Sequence, residues 1–584
     1  MLYPQQNTAR LRLELGGLWQ FQLSYDNAGA DLDPAAPLPA PRPMAVPASY
    51  NDQGEDKALR DHYGWAFYQR TVALPALFAG QRLVLRFGAV THRARVWLDG
   101  ALIAEHKGGF LPFEADVTGK LVPGIPALLT VACDNRVDHS TLPVGNEPGQ
   151  IAFFGSDNAG IPSVEHAKAT AAPQNRPNFD FFNFAGIHRP VWLYTTPADH
   201  IRDITLVPRQ DGTVDYRVDT AGQGTVTVEV LDPEGRTVAR AGGARGTVRV
   251  PSPRLWEPWP GNPWLYTARV RFGQDCYDQT FGFREIRVEG TRLLLNGRPY
   301  FQNGVLDQGY FPDGLYTAPS DDALVYDIQL AKDMGFNMLR KHIKVECDRW
   351  YYHCDRLGML VWQDMPCGGR RYDPLIVSTP LVTGWHLDDS WYPLFGRTNV
   401  TARKAFLNEL RDMVTTLYNH PCIAVWVPFN EGWGQFDSQT AVQVIQSVDK
   451  TRTIDPASGW HDQGFGDVRS LHVYFQKYRF QPDKLGRATL LSEFGGYIHR
   501  VEGHAVGGKS VGYKTCDAPL SLEYALQALY DEQIRPAIAQ GLSAAVYTQL
   551  SDVEHELNGL VTYDRSVVKL PVQTLHKIFY IENE

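Results

Sequence analysis

The sequence predicts a multidomain β plus α/β protein: a β-sandwich over residues 1–197, a smaller immunoglobulin-like β-sandwich over 198–289, and a C-terminal (β/α)8 TIM barrel over 290–584. Three observations predict it. Short β-type runs broken by Gly, Pro and Asp fill the first stretch, the second continues in β with Gly-rich turns, and from residue 290 apolar runs alternate with helical patterns.

In the first unit "WAFYQRTVALP", "QRLVLRFGAV", "RARVWLDG" and "ALLTVACDN" are strand-length runs with hardly a helical period among them, which is sandwich texture. In the second, "VTVEVL", "GTVRVP" and "WLYTARVRF" surround turns such as "AGGARG". The third supplies eight candidate strands, starting at "YFQNGV", "NMLRKH", "MLVWQD", "IAVWVPFNE", "PASGWH", "SLHVYF", "ATLLSEF" and "AAVYTQL". Helical stretches such as "ALVYDIQLAKDMG" and "ARKAFLNELRDMVTTLYNH" separate them, the rhythm of a closed barrel. A long connection, residues 366–398, follows the third strand, and a loop of that length in a compact barrel suggests a lid or pocket wall.

Composition excludes several classes. The formal charge of −9 is spread without acidic or basic runs, so neither a nucleic-acid groove nor a membrane surface is expected. No apolar window reaches the length of a membrane span. The start "MLYPQQNTARLRLELGG" does not read as a secretion signal, and seven scattered cysteines without a CxxC pair read as reduced thiols. The expected compartment is cytoplasmic. The triplet Asn399-Val400-Thr401 reads as a chance match to a glycosylation sequon.

Barrel strands end at the face that carries chemistry. Several of these end on polar groups: Arg340 and His342, Asp364, Glu431, His461, His472 and Tyr474, Glu493, Asp552. Glu431 closes the fourth strand in "WVPFNEGWG" and Glu493 the seventh in "LLSEFGGY", positions that face each other across the mouth. Two carboxyl groups about 5–5.5 Å apart serve hydrolysis of a glycosidic bond with retention, one as nucleophile and one as acid and then base. Asn430 offers an amide beside Glu431. The plain alternative is structural pairing, for example Glu431 with Arg340.

With "FNEGWG" and "LLSEFGGY" in place, the chain resembles glycoside hydrolase family 2. "LGGLWQF", "VTHRARVWLDG" and "EHKGGFLPFEADVT" look like the family's N-terminal jelly-roll domain, "NFDFFNFAGIHRPVWLYTTP" like the close of that domain, and "RLLLNGRPYFQNGV" like the start of its barrel. The resemblance runs nearly end to end. It implies retaining exo-hydrolysis of terminal β-linked sugars, with Glu431 as acid/base and Glu493 as nucleophile. It also implies that Asp180, from the first domain, binds the terminal sugar and that Tyr474 hydrogen-bonds the nucleophile. Arg340, His342 and His472 fall at expected sugar-site positions, although His342 sits one place off the family's Arg-x-Ser-His pattern. Asp552 and Trp385, the latter in the 366–398 connection, complete the expected binding set.

The sugar is read from the loop after the eighth strand, "LSDVEHELNGLVTYDR". The β-glucuronidases of the family bind the sugar carboxylate with an Asn-x-Lys motif, whereas here Asn558 is followed by Gly559 and Leu560. Asp552, Glu554 and Glu556 stand there instead. Each close like-charge contact costs about 1 kcal/mol or more, so a β-galactoside or related neutral glycoside is the first expectation. A β-glucuronide is the alternative, with Lys341 or Lys344 as substitute cation. A non-catalytic carbohydrate-binding protein would lack one glutamate, and a metal-dependent hydrolase would show a His-x-His or HExxH motif. No cofactor is expected. Some family members hold Mg²⁺ or Na⁺ near the site, but no ligand set in this sequence establishes one. The expected partner is a carbohydrate or glycoconjugate substrate, and relatives often assemble as homo-oligomers.

Overall fold

The computed structural model describes residues 1–136, 184–368, 374–506, 510 and 512–583. Within them the first sandwich packs a six-stranded antiparallel sheet on a four-stranded one. Alternation in strands such as Arg93–Leu98 sends Ala94, Val96 and Leu98 inward to a core with Trp19, Phe21, Tyr68 and Phe87. The second sandwich packs three strands on four around Val214, Val228, Val270 and Phe281. The chain start crosses to this second sandwich, where Arg10 makes a two-pronged contact with Asp275 (Nε–Oδ1 2.8 Å, Nη2–Oδ2 2.7 Å), both side chains almost wholly buried.

The barrel strands are β1 (Gln302–Asp307), β2 (Met338–Lys341), β3 (Leu360–Asp364), β4 (Ile423–Val427), β5 (Thr453–Ile454), β6 (Val468–Val473), β7 (Ala488–Gly495) and β8 (Ala544–Thr548). They run in parallel in the order β5-β4-β3-β2-β1-β8-β7-β6, an almost closed ring. Buried on both faces, they are apolar along most of their length. Capping residues start the outer helices. Ser320 accepts from Ala323 N before helix Asp321–Asp333, whose first turn is acidic, and Asn399 accepts from Ala402 N before helix Val400–Leu417. The Asn399 sequon is thus a helix cap in the folded chain. No helix among the described residues is long and apolar enough to cross a membrane.

Two expectations change. The fifth strand was read from Pro456, but β5 is Thr453–Ile454, because Pro456 lacks an amide hydrogen and Gly459 and His461 take positive φ. Residues after β5 rejoin the sheet through one parallel bridge, Asn430 with Ser458. Likewise β4 stops at Val427, before Pro428, so Glu431 lies beyond the strand and not at its last position. Among its described residues the 366–398 connection contains two short helices, and it rests on the regions after β4 and β5. His461 faces the Ile376 and Val377 carbonyls through Nε2 and accepts from Leu387 N, while Gln435 donates to Asp389.

Removing one partner of a buried ion pair strands the other. Asp275→Ala is therefore expected to lower unfolding free energy by about 3–5 kcal/mol, seen as an earlier transition in chemical denaturation. An unchanged midpoint would mean that the Arg10 contact adds nothing.

Candidate active site

The mouth is organised by Arg340 on β2, which is fully buried. Its guanidinium reaches Asp364 at the end of β3 (Nε–Oδ1 3.1 Å, Nη2–Oδ2 3.0 Å), Asn430 Oδ1 (2.8 Å), the Ser492 carbonyl (3.1 Å) and Glu493 Oε1 (3.1 Å). A buried guanidinium cannot shed its proton, so carboxylates must gather around it.

Glu431 is set by an irregular continuation of β4. Its φ is +50° and its amide donates to Ser458 O at 2.9 Å, which turns the side chain into the mouth. Glu493 lies inside β7, where the register shifts against both β6 and β8; such bulges re-aim side chains. Gly495 follows with φ +88°, and a Cβ there would lie 2.4 Å from Tyr547, so no larger residue fits the turn out of the strand.

Between the two glutamates stands His472 of β6. Its Nδ1 is 2.7 Å from Glu431 Oε1 and 3.3 Å from Glu493 Oε2. Tyr474, just past β6, donates to Glu493 Oε2 at 2.5 Å and stacks on Tyr513 with ring centroids 3.7 Å apart. His342 Nε2 accepts from Asn430 Nδ2 at 3.2 Å and lies 3.6 Å from Glu493 Oε1, while its buried Nδ1 has no partner among the described residues. One oxygen of each glutamate and a nitrogen of His472 lie within 4.8 Å of one another, close enough in distance for a cation. The residues do not fit one. Arg340 Nη1 is 3.4 Å from His472 Nε2, so the imidazole hydrogen sits on Nδ1, between the carboxylates, and the guanidinium already supplies the positive charge.

Burial raises both carboxyl groups. Glu431 is pushed up to about 8, with Arg340 pulling down and Glu556 pushing further up. Glu493 is raised to about 7, because His472, Arg340 and the Tyr474 hydroxyl hold it down against burial and Glu431. The ordering gives one group that keeps a proton and one that loses it first. Burial drives His472 down to about 3, so its ring is neutral.

The structure therefore brings together Glu431, Glu493, Asn430, Arg340, His342, His472 and Tyr474. Asp180 lies outside the described residues. Each edge of the Arg340 guanidinium is engaged by the protein. Asp552 Oδ1 accepts from Lys569 Nζ (2.7 Å) and Gly559 N (2.8 Å), which braces the loop after β8. Trp385 is 73% exposed, and among the described residues no hydrogen bond or ring contact joins it to the cluster. Two participants were missed. Asp364 was signalled only as one polar strand end among several. Glu556 was counted as a charge, but it is a placed group that accepts from Gln308 Nε2 (3.0 Å) and Asn558 Nδ2 (3.1 Å). Lys341 and Lys344 are buried and engaged, Lys341 with Asp307 (2.6 Å) and Lys344 with Glu346 (2.7 Å).

Comparison with known proteins places this geometry. The profile "Glycosyl hydrolases family 2, sugar binding domain" matches residues 13–197, "Glycosyl hydrolases family 2" residues 199–284, and "Glycosyl hydrolases family 2, TIM barrel domain" residues 286–494. A β-glucuronidase of Paenibacillus borealis is 33% identical over 78% of this chain and 73% of its own. The chain belongs to glycoside hydrolase family 2. A solved β-glucuronidase of Faecalibacterium prausnitzii is 40% identical, covering 99% of this chain and 98% of that one with a TM-score of 0.82. Another, from Bifidobacterium dentium and solved with coumarin-3-O-glucuronide, is 32% identical over 99% and 98%, TM-score 0.81. This family 2 chain is accordingly a glycoside hydrolase and an exo-glycosidase, with the jelly-roll, immunoglobulin-like and TIM-barrel architecture of the family.

The Tyr474 hydroxyl favours the ionised form of Glu493, so its loss should raise that group further. Tyr474→Phe is expected to move the acid limb of the kcat/KM–pH profile to higher pH and to lower the plateau by about 10- to 100-fold, the worth of a hydrogen bond to a charge. An unmoved limb would sink this account.

Proposed function

We propose that this chain is a retaining β-glycosidase in which Glu493 attacks the anomeric carbon and Glu431 protonates the departing oxygen. Glu431 then takes a proton from the water that breaks the Glu493 ester bond. The closeness of the two carboxyl groups carries the reading: one oxygen of each lies within 4.8 Å of the other, which favours the short separation of a retaining pair over the about 6.5–9.5 Å between carboxyl groups that an inverting enzyme leaves for a water. The raised Glu431 supports the acid role, and the His342 Nδ1, without a partner among the described residues, supports a sugar contact from that ring. Asp180 is proposed to reach the terminal sugar from the first sandwich, a reading supported by that unit's contacts at the mouth, Arg60 with Glu554 (3.3 Å) and Arg189 with Glu346 (3.6 Å).

For the sugar, likeness to the β-glucuronidases favours a β-glucuronide over the neutral galactoside that the loop's charge suggested. Lys341 and Lys344 are not its partners, being already engaged. Glu556 is a better candidate. Burial and the neighbouring Asp552 raise its carboxyl group above the ordinary range, and in protonated form it would donate to a sugar carboxylate and not repel it. A neutral galactoside is the second reading, favoured by the same residue when ionised, as an acceptor for hydroxyls.

Glu493→Gln is expected to abolish turnover. Glu431→Gln should spare formation of the glycosyl-enzyme from aryl glycosides whose leaving group needs no proton. Normal cleavage of dinitrophenyl glycosides by Glu493→Gln would reverse the roles. In a panel of nitrophenyl glycosides differing only in the sugar, the glucuronide should be the best substrate. Its advantage over the galactoside should shrink as pH rises and Glu556 loses its proton. A galactoside faster by about 10²-fold at every pH would establish the second reading.

A further inference from the structure

The acid/base and the nucleophile are joined through a third group, the His472 ring. Its Nε2 faces Arg340 Nη1 (3.4 Å) and Ser458 Oγ (3.2 Å). Arginine has hydrogens and no acceptor, so Nε2 holds the lone pair and the single ring hydrogen is on Nδ1. That hydrogen points between Glu431 Oε1 (2.7 Å) and Glu493 Oε2 (3.3 Å). The ring cannot turn away. It is buried, it pairs across the sheet with Glu493 at a register shift, and it lies against Gly459, where a Cβ would come within 2.4 Å of the imidazole Cγ. Gly459 has φ +85°, so bare backbone forms the wall behind the ring.

Resting on the retaining mechanism above, we propose that His472 is a positioning residue whose single Nδ1 hydrogen serves the two catalytic carboxylates in turn. Before reaction Glu493 is the ionised partner and Glu431 holds a proton. Once Glu431 has passed that proton to the leaving oxygen and Glu493 has become an ester, the charge is on Glu431 and the same N–H donates to it. The donor thus follows the charge across the cycle, with no proton leaving the ring. It matters most in the second half. There the water's O–C bond forms, the Glu493 ester C–O bond breaks, and Glu431 must be held ionised and oriented to accept the water's proton.

The other charged or titratable groups facing this pair are accounted for. Arg340 and Asp364 pair with each other from β2 and β3, His342 stands after β2, Asp455 accepts from Ser470, Tyr474 donates to Glu493, and Glu556 approaches Glu431 from the loop after β8. Among them, only His472 reaches both glutamates with a hydrogen bond or ion-pair contact.

The test compares His472→Asn, whose amide hydrogen occupies the place of Nδ1–H, with His472→Gln and His472→Ala, which leave that place without a donor. The substrate is a dinitrophenyl glycoside of the sugar the panel selects, for which release of the glycosyl-enzyme limits kcat. Gln and Ala should lower kcat by about 10²-fold and kcat/KM by less than about 10-fold, and should move the kcat limb that reports ionisation of Glu431 to higher pH. Asn should recover kcat to within about 5-fold of the parent with the limb restored. Equal losses in kcat and kcat/KM with unmoved limbs, or Asn behaving like Gln, would overturn the proposal. Thermal melting of all three separates misfolding from either outcome. Failure of the Glu493→Gln and Glu431→Gln expectations would instead count against the underlying mechanism.

Discussion

The mouth depends on one buried cation. Arg340 has no exposed surface, cannot lose its charge, and among the described residues is partnered by strands of its own barrel and by the segment after β4. Three elements converge to compensate it: β3 through Asp364, the segment after β4 through Asn430, and β7 through both Glu493 and the Ser492 carbonyl. The same guanidinium fixes which nitrogen of His472 bears hydrogen and favours the ionised form of both Glu431 and Glu493. Cross-strand geometry and proton placement are two results of one desolvated charge.

Around that centre the chain settles most of its acidic strand-end and loop groups with nearby cations. Asp552 has Lys569, Glu346 has Lys344, Asp462 has Arg487 and Glu554 has Arg60. Among the described residues neither Glu431 nor Glu556 pairs with a lysine or arginine, and burial raises both. Without a countercharge, each keeps its proton more readily than an exposed carboxyl group would.

The parts of this arrangement that could be read in the sequence are those with local signatures. The apolar runs before "FNEGWG" and "LLSEFGGY" announce strands that deliver a carboxylate to a mouth, and the alternation with helical periods announces the barrel. Long-range pairing could not be read. The Lys569 partner of Asp552 stands 17 residues on, and the Asp307 partner of Lys341 stands 34 residues back. The strand break after Val427 was hidden because the sequence pattern stays apolar through Phe429, whereas Pro428 removes the ladder hydrogen bond. Asn430 and Glu493 were recognised as site residues, but the His472 tautomer depends on an arginine 132 residues away.

The contacts of the first sandwich at the mouth bear on how the chain can be divided. Arg189 approaches Glu346 and donates to the Val345 carbonyl, and His188 O accepts from Thr317, so backbone and charge of that unit close the side of the barrel beside Lys344. A fragment starting at residue 290 would open the Lys341–Glu346–Lys344 cluster to water and leave it one arginine short. The catalytic barrel is consequently a poor candidate for transplantation as a stand-alone module. Fusion partners are better placed at the chain's outer ends than at the junctions between its units.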